Sequence, residues 1–215
     1  MKGGFDLIIF DWDGTLIDSI DWITHCLQTA GERCGCAVPG RQAAKDVIGL
    51  SIDKAMQTLF PTANADKLEQ LVSHYSREYF SKQISRDDLF DGVYDMLVQL
   101  KTSGYQLAVA TGKTRAGLDE ALAGTGTTEL FCATRCADET ASKPNPRMLN
   151  EIMQHADTPN ERTLMVGDSI HDLQMARNAH ISSIAVSCGA HSETFLQQYH
   201  PLRCLKQPTE LLQLI

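Results

Sequence analysis

Short apolar runs and segments with helical spacing divide this chain into two kinds of text. The first run, Leu7-Ile8-Ile9, is short and β-branched, and it reads as a buried strand. The pattern then breaks from what a strand-helix repeat predicts. Over residues 17–33 the apolar positions Ile20, Ile23, Leu27 and Ala30 keep helical spacing, with no second strand signal. Helical text continues over residues 41–47, over 51–59 up to Pro61, and over 64–83, where Leu68, Leu71, Val72, Tyr75 and Tyr79 share one stripe. From Leu89 onward strand and helix alternate. Strands are expected at residues 106–110, 130–134, 163–166, 183–186 and 203–205. Helices are expected at 93–103, 115–123, 146–155, 170–179, 193–199 and after Pro208. Such alternation implies right-handed crossovers and a doubly wound parallel sheet of the α/β class, with helices on both faces. The expected organisation is an α/β domain of residues 1–16 and 88–215, interrupted by an all-helical cap of residues 17–87 that hinges over the sheet's carboxyl edge.

Composition narrows the partners. The 215 residues carry a formal net charge of -8 without a cluster of Lys and Arg. This argues against a nucleic-acid polymer or an anionic membrane as partner. An anionic ligand has to be met locally, with a metal. Seven cysteines, an odd number without C-x-x-C spacing, read as reduced thiols. Cys34-Gly-Cys36 and the Cys132/Cys136 pair lack a partner at zinc-finger spacing. With no charged-then-apolar leader and no apolar run near ~20 residues, a cytoplasmic location is expected. Separately, a monomer or homodimer is expected.

Candidate chemistry gathers where the strands end. Phe10-Asp11-Trp12-Asp13-Gly14-Thr15 follows the first strand, and side-chain alternation directs Asp11 and Asp13 to one side and Trp12 to the other. Gly14 permits a sharp turn, from which amides and the Thr15 hydroxyl face an anionic ligand. The strand at 106–110 runs into Thr111-Gly112-Lys113-Thr114, which mimics the tail of a phosphate-binding P-loop. That loop needs a glycine where Leu107 stands, so a nucleotide triphosphatase is rejected. What survives is a Thr111 hydroxyl and a Gly112 amide at a helix start, suited to a phosphoryl oxygen. Lys143 sits in a proline-fixed loop from which it reaches phosphate or Asp11. Gly167-Asp168-Ser169-Ile170-His171-Asp172 adds two carboxylates a helical turn apart. Four acids at one crevice repel, a single pair at 4 Å costing about 4 kcal/mol at an effective dielectric of 20. A divalent cation removes that conflict, and oxygen-only donors suit Mg²⁺ better than Zn²⁺.

On these four motifs the chain resembles a haloacid-dehalogenase-superfamily phosphatase of the phosphoglycolate-phosphatase-like branch. Asp11 to Thr15 match its first motif, Thr111 its second, Lys143 its third and Gly167 to Asp172 its fourth. The resemblance implies Asp11 as nucleophile and metal ligand, and Asp13 as general acid/base with its backbone carbonyl on the metal. Asp168 is implied as a ligand, and Asp172 as a ligand or the anchor of one. Thr15, Thr111, Gly112 and Lys143 are expected around the phosphoryl group. The implied reaction is Mg²⁺-dependent hydrolysis of a small phosphomonoester, such as phosphoglycolate, a sugar phosphate or a nucleotide-like ester, through an aspartyl phosphate. A dehalogenase is disfavoured, because Asp13 is retained. A phosphomutase of the same superfamily shares every core residue named. A non-enzymatic phospho-receiver or regulatory binder is the alternative from another class, disfavoured by the motif order and the helical insertion.

The cap is expected to set substrate choice, with Gly49 as its loop facing Asp13 and His25, Arg41 and Lys54 as polar residues within reach of substrate. His171 is expected to be a bystander. Lys113 and Arg115 are read as helix-opening cations beside the crevice, free to attract an anionic leaving group or simply solvated.

Overall fold

The computed structural model describes residues 4–215. Six strands form one parallel sheet: β1 (Leu7–Phe10), β2 (Gln106–Thr111), β3 (Ala133–Cys136), β4 (Thr163–Gly167), β5 (Ser182–Val186) and β6 (Cys204–Leu205). Their order is β3-β2-β1-β4-β5-β6. β1 is the first strand in sequence and lies between β2 and β4, both parallel to it. The chain therefore builds outward from β1 in two directions. The crevice of such a sheet opens at the carboxyl ends of the central strands, where the direction of winding reverses. Phe10 and Gly167, the last residues of β1 and β4, stand at that edge.

Both faces of the sheet are covered, as continuous apolar strands require. On one face Ile8, Phe10 and Trp12 pack with Met96 and Leu97 of α5 (Val93–Thr102) and Leu118 and Leu122 of α6 (Arg115–Thr125). On the other, Leu7 and Ile9 pack with Met148 and Ile152 of α7 (Arg147–His155) and Met175 of α8 (Ile170–Asn178). The short α9 (Glu193–Leu196) sets Leu196 beside Leu173 and Ala185. Alternation along β1 separates the two clusters, and Asp11 follows in the parity of Leu7 and Ile9.

Between β1 and α5 lie four helices and no strand: α1 (Ile20–Arg33), α2 (Arg41–Asp46), α3 (Ile52–Leu59) and α4 (Ala65–Tyr79). They bury an apolar cluster of their own, with Ile23, Leu27, Met56 and Leu71 at its centre. Ser51 caps α3 through the Lys54 amide and Asn64 caps α4 through the Lys67 amide, which accounts for helix starts at these positions. α4 ends four residues short of the expected helix at 64–83, and residues 86–88 form a 3₁₀ turn instead, closed by a Ser85–Asp88 capping box. The strand expected at 130–134 is also displaced. Thr128–Leu130 is a 3₁₀ turn closed by the Leu130 amide on the Thr127 carbonyl, so β3 begins only at Ala133. The apolar Phe131 packs edge-on against Trp12, at 6.3 Å, rather than lying in the sheet. The segments expected as helices at 193–199 and after Pro208 are wholly or partly 3₁₀. All seven cysteines are free thiols. No helix among the described residues is long and apolar enough to cross a membrane.

Candidate active site

The Asp11 amide donates to the Val166 carbonyl at 2.9 Å, extending the β1–β4 ladder one residue past the strand. This holds the Asp11 carboxylate at the crevice, buried, opposite the end of β4. Gly14, with φ 76°, turns the chain there, and a Cβ at Gly14 would collide with the Asp168 carboxylate. The turn delivers Thr15 to Asp168: its hydroxyl donates to Oδ1 at 2.8 Å. Its amide lies 3.3 Å from the Trp12 carbonyl, and the Gly14 amide donates to the Ile17 carbonyl. The expectation that Thr15 and this turn face an anion is therefore corrected, because their donors are used within the protein.

Asp11, Asp168 and Asp172 are all buried, and each offers an oxygen within 4.8 Å of the other two. Asp168 also accepts from the Ala190 amide at 2.7 Å. Gly189 permits that approach, since a Cβ there would run into the same carboxylate. Asp172 belongs to the first turn of α8, where a capping box with Ser169 holds Oδ2 at 2.6 Å from the Ser169 hydroxyl. Lys143, fully buried, places Nζ 2.6 Å from Asp11 Oδ1 and 2.7 Å from Asp172 Oδ1. Both contacts are ion pairs at hydrogen-bond length.

Three carboxylates around one lysine carry excess negative charge. Burial, opposed in part by Lys143, leaves the Asp11 carboxyl well above the usual carboxylate range. Burial and the neighbouring Asp172 push Asp168 up to about 7. Burial alone would favour neutral Lys143, yet Asp11 and Asp172 hold its ammonium above the ordinary lysine range. The cluster is short of positive charge, and three buried carboxylate oxygens within 4.8 Å of one another fit a hard cation held by oxygen donors.

Asp13 stands outside this group. The Ser19 hydroxyl donates to its Oδ1 at 2.7 Å, and Lys113 Nζ lies 3.0 and 2.9 Å from its two oxygens. Lys113 also reaches the Tyr79 hydroxyl at the end of α4, at 2.5 Å. This corrects the reading of Lys113 as an exposed, free cation: it is buried, and Asp13 and Tyr79 together outweigh its desolvation and raise its pKa. Arg115 is committed as well, to Glu139, Asp119 and Thr134.

Thr111 ends β2, and Thr111 and Gly112 line the cleft with Asp11 and Asp13. A Cβ on Gly112 would clash with the Gly49 and Leu50 carbonyls, so the loop between α2 and α3 lies directly over it. Gly49 lines the cleft. His25, Arg41 and Lys54 do not. His25 stacks on Trp22 and faces Glu78, Arg41 pairs with Asp21, and Lys54 is exposed on α3. His171 is no bystander to packing: its Nε2 sits 2.9 Å from the Asp46 carbonyl of α2. The sequence reading missed Ser19, Tyr79, Gly189 and the placement of Lys113. Ser19, six residues after Asp13 and just before a helix, carried a signal read only as part of that helix.

A family model for haloacid dehalogenase-like hydrolases matches residues 8–186, which include the ends of β1, β2 and β4 together with the helical insertion. The chain belongs to that family. Among its relatives, this hydrolase is 33% identical over 199 residues to Probable phosphatase IndB of Dickeya dadantii, covering 91% of this chain and 86% of that protein. It is 27% identical over 209 residues to Pyrophosphatase PpaX of Halalkalibacterium halodurans, covering 97% and 95%. The crystal structure of a hydrolase from Pseudomonas syringae superposes with a TM-score of 0.88 over 97% of this chain and 96% of that one. At 20% identity, that likeness is one of fold.

Proposed function

We propose that this hydrolase is a Mg²⁺-dependent phosphatase of small phosphomonoesters, working through an aspartyl phosphate on Asp11. Residues 17–87 act as a cap on a catalytic domain of residues 1–16 and 88–215. The observation that carries the reading is the placement of Asp11 at the end of the central strand, with Asp168, Asp172 and Lys143 around it and Asp13 alongside in the same cleft. Relatives named phosphatase and pyrophosphatase support it.

Asp11, Asp168 and Asp172 would hold Mg²⁺, which when bound supplies positive charge to the phosphoryl oxygens. An Asp11 oxygen attacks phosphorus as the bond to the leaving oxygen breaks, and Asp13 gives that oxygen a proton. Asp13 then takes a proton from water as the water attacks phosphorus. The bond to Asp11 breaks, and inorganic phosphate departs. Lys143 fixes the orientation of Asp11 and offsets phosphoryl charge, while Thr111 and Gly112 donate to phosphoryl oxygens. Ser19 and Lys113 orient Asp13.

Phosphate release from p-nitrophenyl phosphate tests the reading. Asp11→Asn is expected to abolish release while leaving thermal unfolding nearly unchanged, and chelation of Mg²⁺ is expected to abolish it in the unaltered protein. Full activity in either case would remove the basis of the proposal.

A further inference from the structure

The cleft above Asp11 and Asp13 has two unlike halves. The half toward the sheet holds the carboxylates, Thr111 and Gly112. The half toward the insertion is lined by Ile23, Leu27, Leu50, Ile52, Tyr75 and Phe80. Phe80, 45% exposed, adds an aromatic ring to this half. Among the described residues of the lining Lys113 is the one cation, and no Arg or His joins it. The cavity measures about 80 Å³. That is the room of roughly five to eight water-sized spheres.

Lys113 is not a spare charge. It lies between both Asp13 oxygens and the Tyr79 hydroxyl. An anionic leaving group entering this half has two options. It can leave its charge unpaired among aliphatic and aromatic side chains, which is strongly unfavourable. It can instead draw Lys113 from Asp13, loosening the group that must protonate the departing oxygen. An uncharged leaving group meets neither obstacle and replaces water along the apolar wall. The Tyr75 hydroxyl, whose proton burial holds more tightly than usual, remains a neutral partner for one oxygen.

We infer that the substrate of this enzyme is a phosphomonoester of a short, uncharged and mainly hydrocarbon alcohol, and that esters with a carboxylate or second phosphate on the leaving group are poor substrates. The inference rests on the phosphatase reading above and adds the class of leaving group. It sets this chain apart from what the name of its relative Pyrophosphatase PpaX says of that protein.

The test compares n-propyl phosphate with phosphoglycolate, which has a leaving group of similar size bearing a carboxylate, and with inorganic pyrophosphate, all at saturating Mg²⁺. The expected result is a kcat/KM for n-propyl phosphate about tenfold or more above either anionic substrate. Equal or faster turnover of phosphoglycolate or pyrophosphate would overturn the inference. Ser76→Lys, on the α4 wall of the same half, supplies the missing cation. It is expected to narrow the ratio by raising kcat/KM for phosphoglycolate, and a folded variant with an unchanged ratio would show that the leaving group does not lie there. p-Nitrophenyl phosphate separates the two levels. Its hydrolysis together with a preference for anionic esters sinks this inference alone, whereas no release from any ester sinks the phosphatase reading.

Discussion

At the scale of the residue, two buried lysines divide the site. Lys143 compensates Asp11 and Asp172, and Lys113 compensates Asp13. Removing one member of a buried ion pair leaves charge without a partner, which typically costs about 3–5 kcal/mol. Lys143→Met is therefore expected to lower the unfolding free energy of the metal-free protein by about 3 kcal/mol in urea titration and to abolish phosphate release with Mg²⁺ present. A variant with wild-type stability and turnover would mean that Lys143 is dispensable to the cluster. Lys143 was legible in the sequence because prolines fix its loop and because its motif falls in order. Lys113 was not. Its spacing marks a cation at a helix start, and nothing in one dimension reveals that Ser19 joins it on Asp13 and that the Tyr79 hydroxyl meets its ammonium. Thr15 shows the converse: its hydroxyl suits an anion, yet the left-handed turn at Gly14 brings it to Asp168 instead.

At the scale of the element, most strands were legible because they are short apolar runs bounded by turn residues, and most helices because their stripes are regular. β3 was displaced by three residues because Leu130 and Phe131 are apolar for a reason other than a strand. The junction of β3 and α6 has its own electrostatics. Arg115 opens α6 and donates through Nε and Nη2 to Glu139, which follows β3. These hydrogen bonds, with the Cys136 amide and the charges of Arg115 and Arg135, hold the Glu139 carboxyl below its ordinary 4.5 against partial burial. A carboxylate with a depressed folded pKa contributes stability that is present above its unfolded value and lost as pH falls through the folded one. Chemical denaturation at a series of pH values is expected to show Glu139→Gln less stable than wild type above pH 4.5, with the gap closing below it. A gap that stays constant through the acid range would show that Glu139 contributes no pH-linked stability.

At the scale of the whole molecule, the alternation of strand and helix made the doubly wound sheet legible, and the break in that alternation made the helical insertion legible. Strand order is less local, but it explains why motifs distant in sequence meet: β1 lies between β2 and β4, so Asp11 and Asp168, just past β1 and β4, and Thr111, the last residue of β2, stand at one edge of three adjacent strands. That a cap loop at Gly49 faces the cleft was legible, but the individual contacts between insertion and sheet were not. The Gly49 and Leu50 carbonyls lie over Gly112, the Ser51 amide donates to the Ser142 hydroxyl at 2.8 Å, and Tyr79 meets Lys113. Each joins residues far apart in sequence, and periodicity, which marks Tyr79 as part of a helical stripe, does not reveal its partner. Such contacts place an apolar wall opposite Asp11, which on the proposed function bears on substrate choice as well as packing. The central claim is that phosphorus becomes bonded to Asp11. Asp13→Asn removes the group proposed to activate water while leaving p-nitrophenolate a competent leaving group, so the proposed intermediate is expected to persist. Peptide mass spectrometry of acid-quenched Asp13→Asn after mixing with p-nitrophenyl phosphate and Mg²⁺ should find one phosphoryl group on Asp11. A phosphoryl group on another residue, or none while p-nitrophenol is released in a burst, would contradict the account.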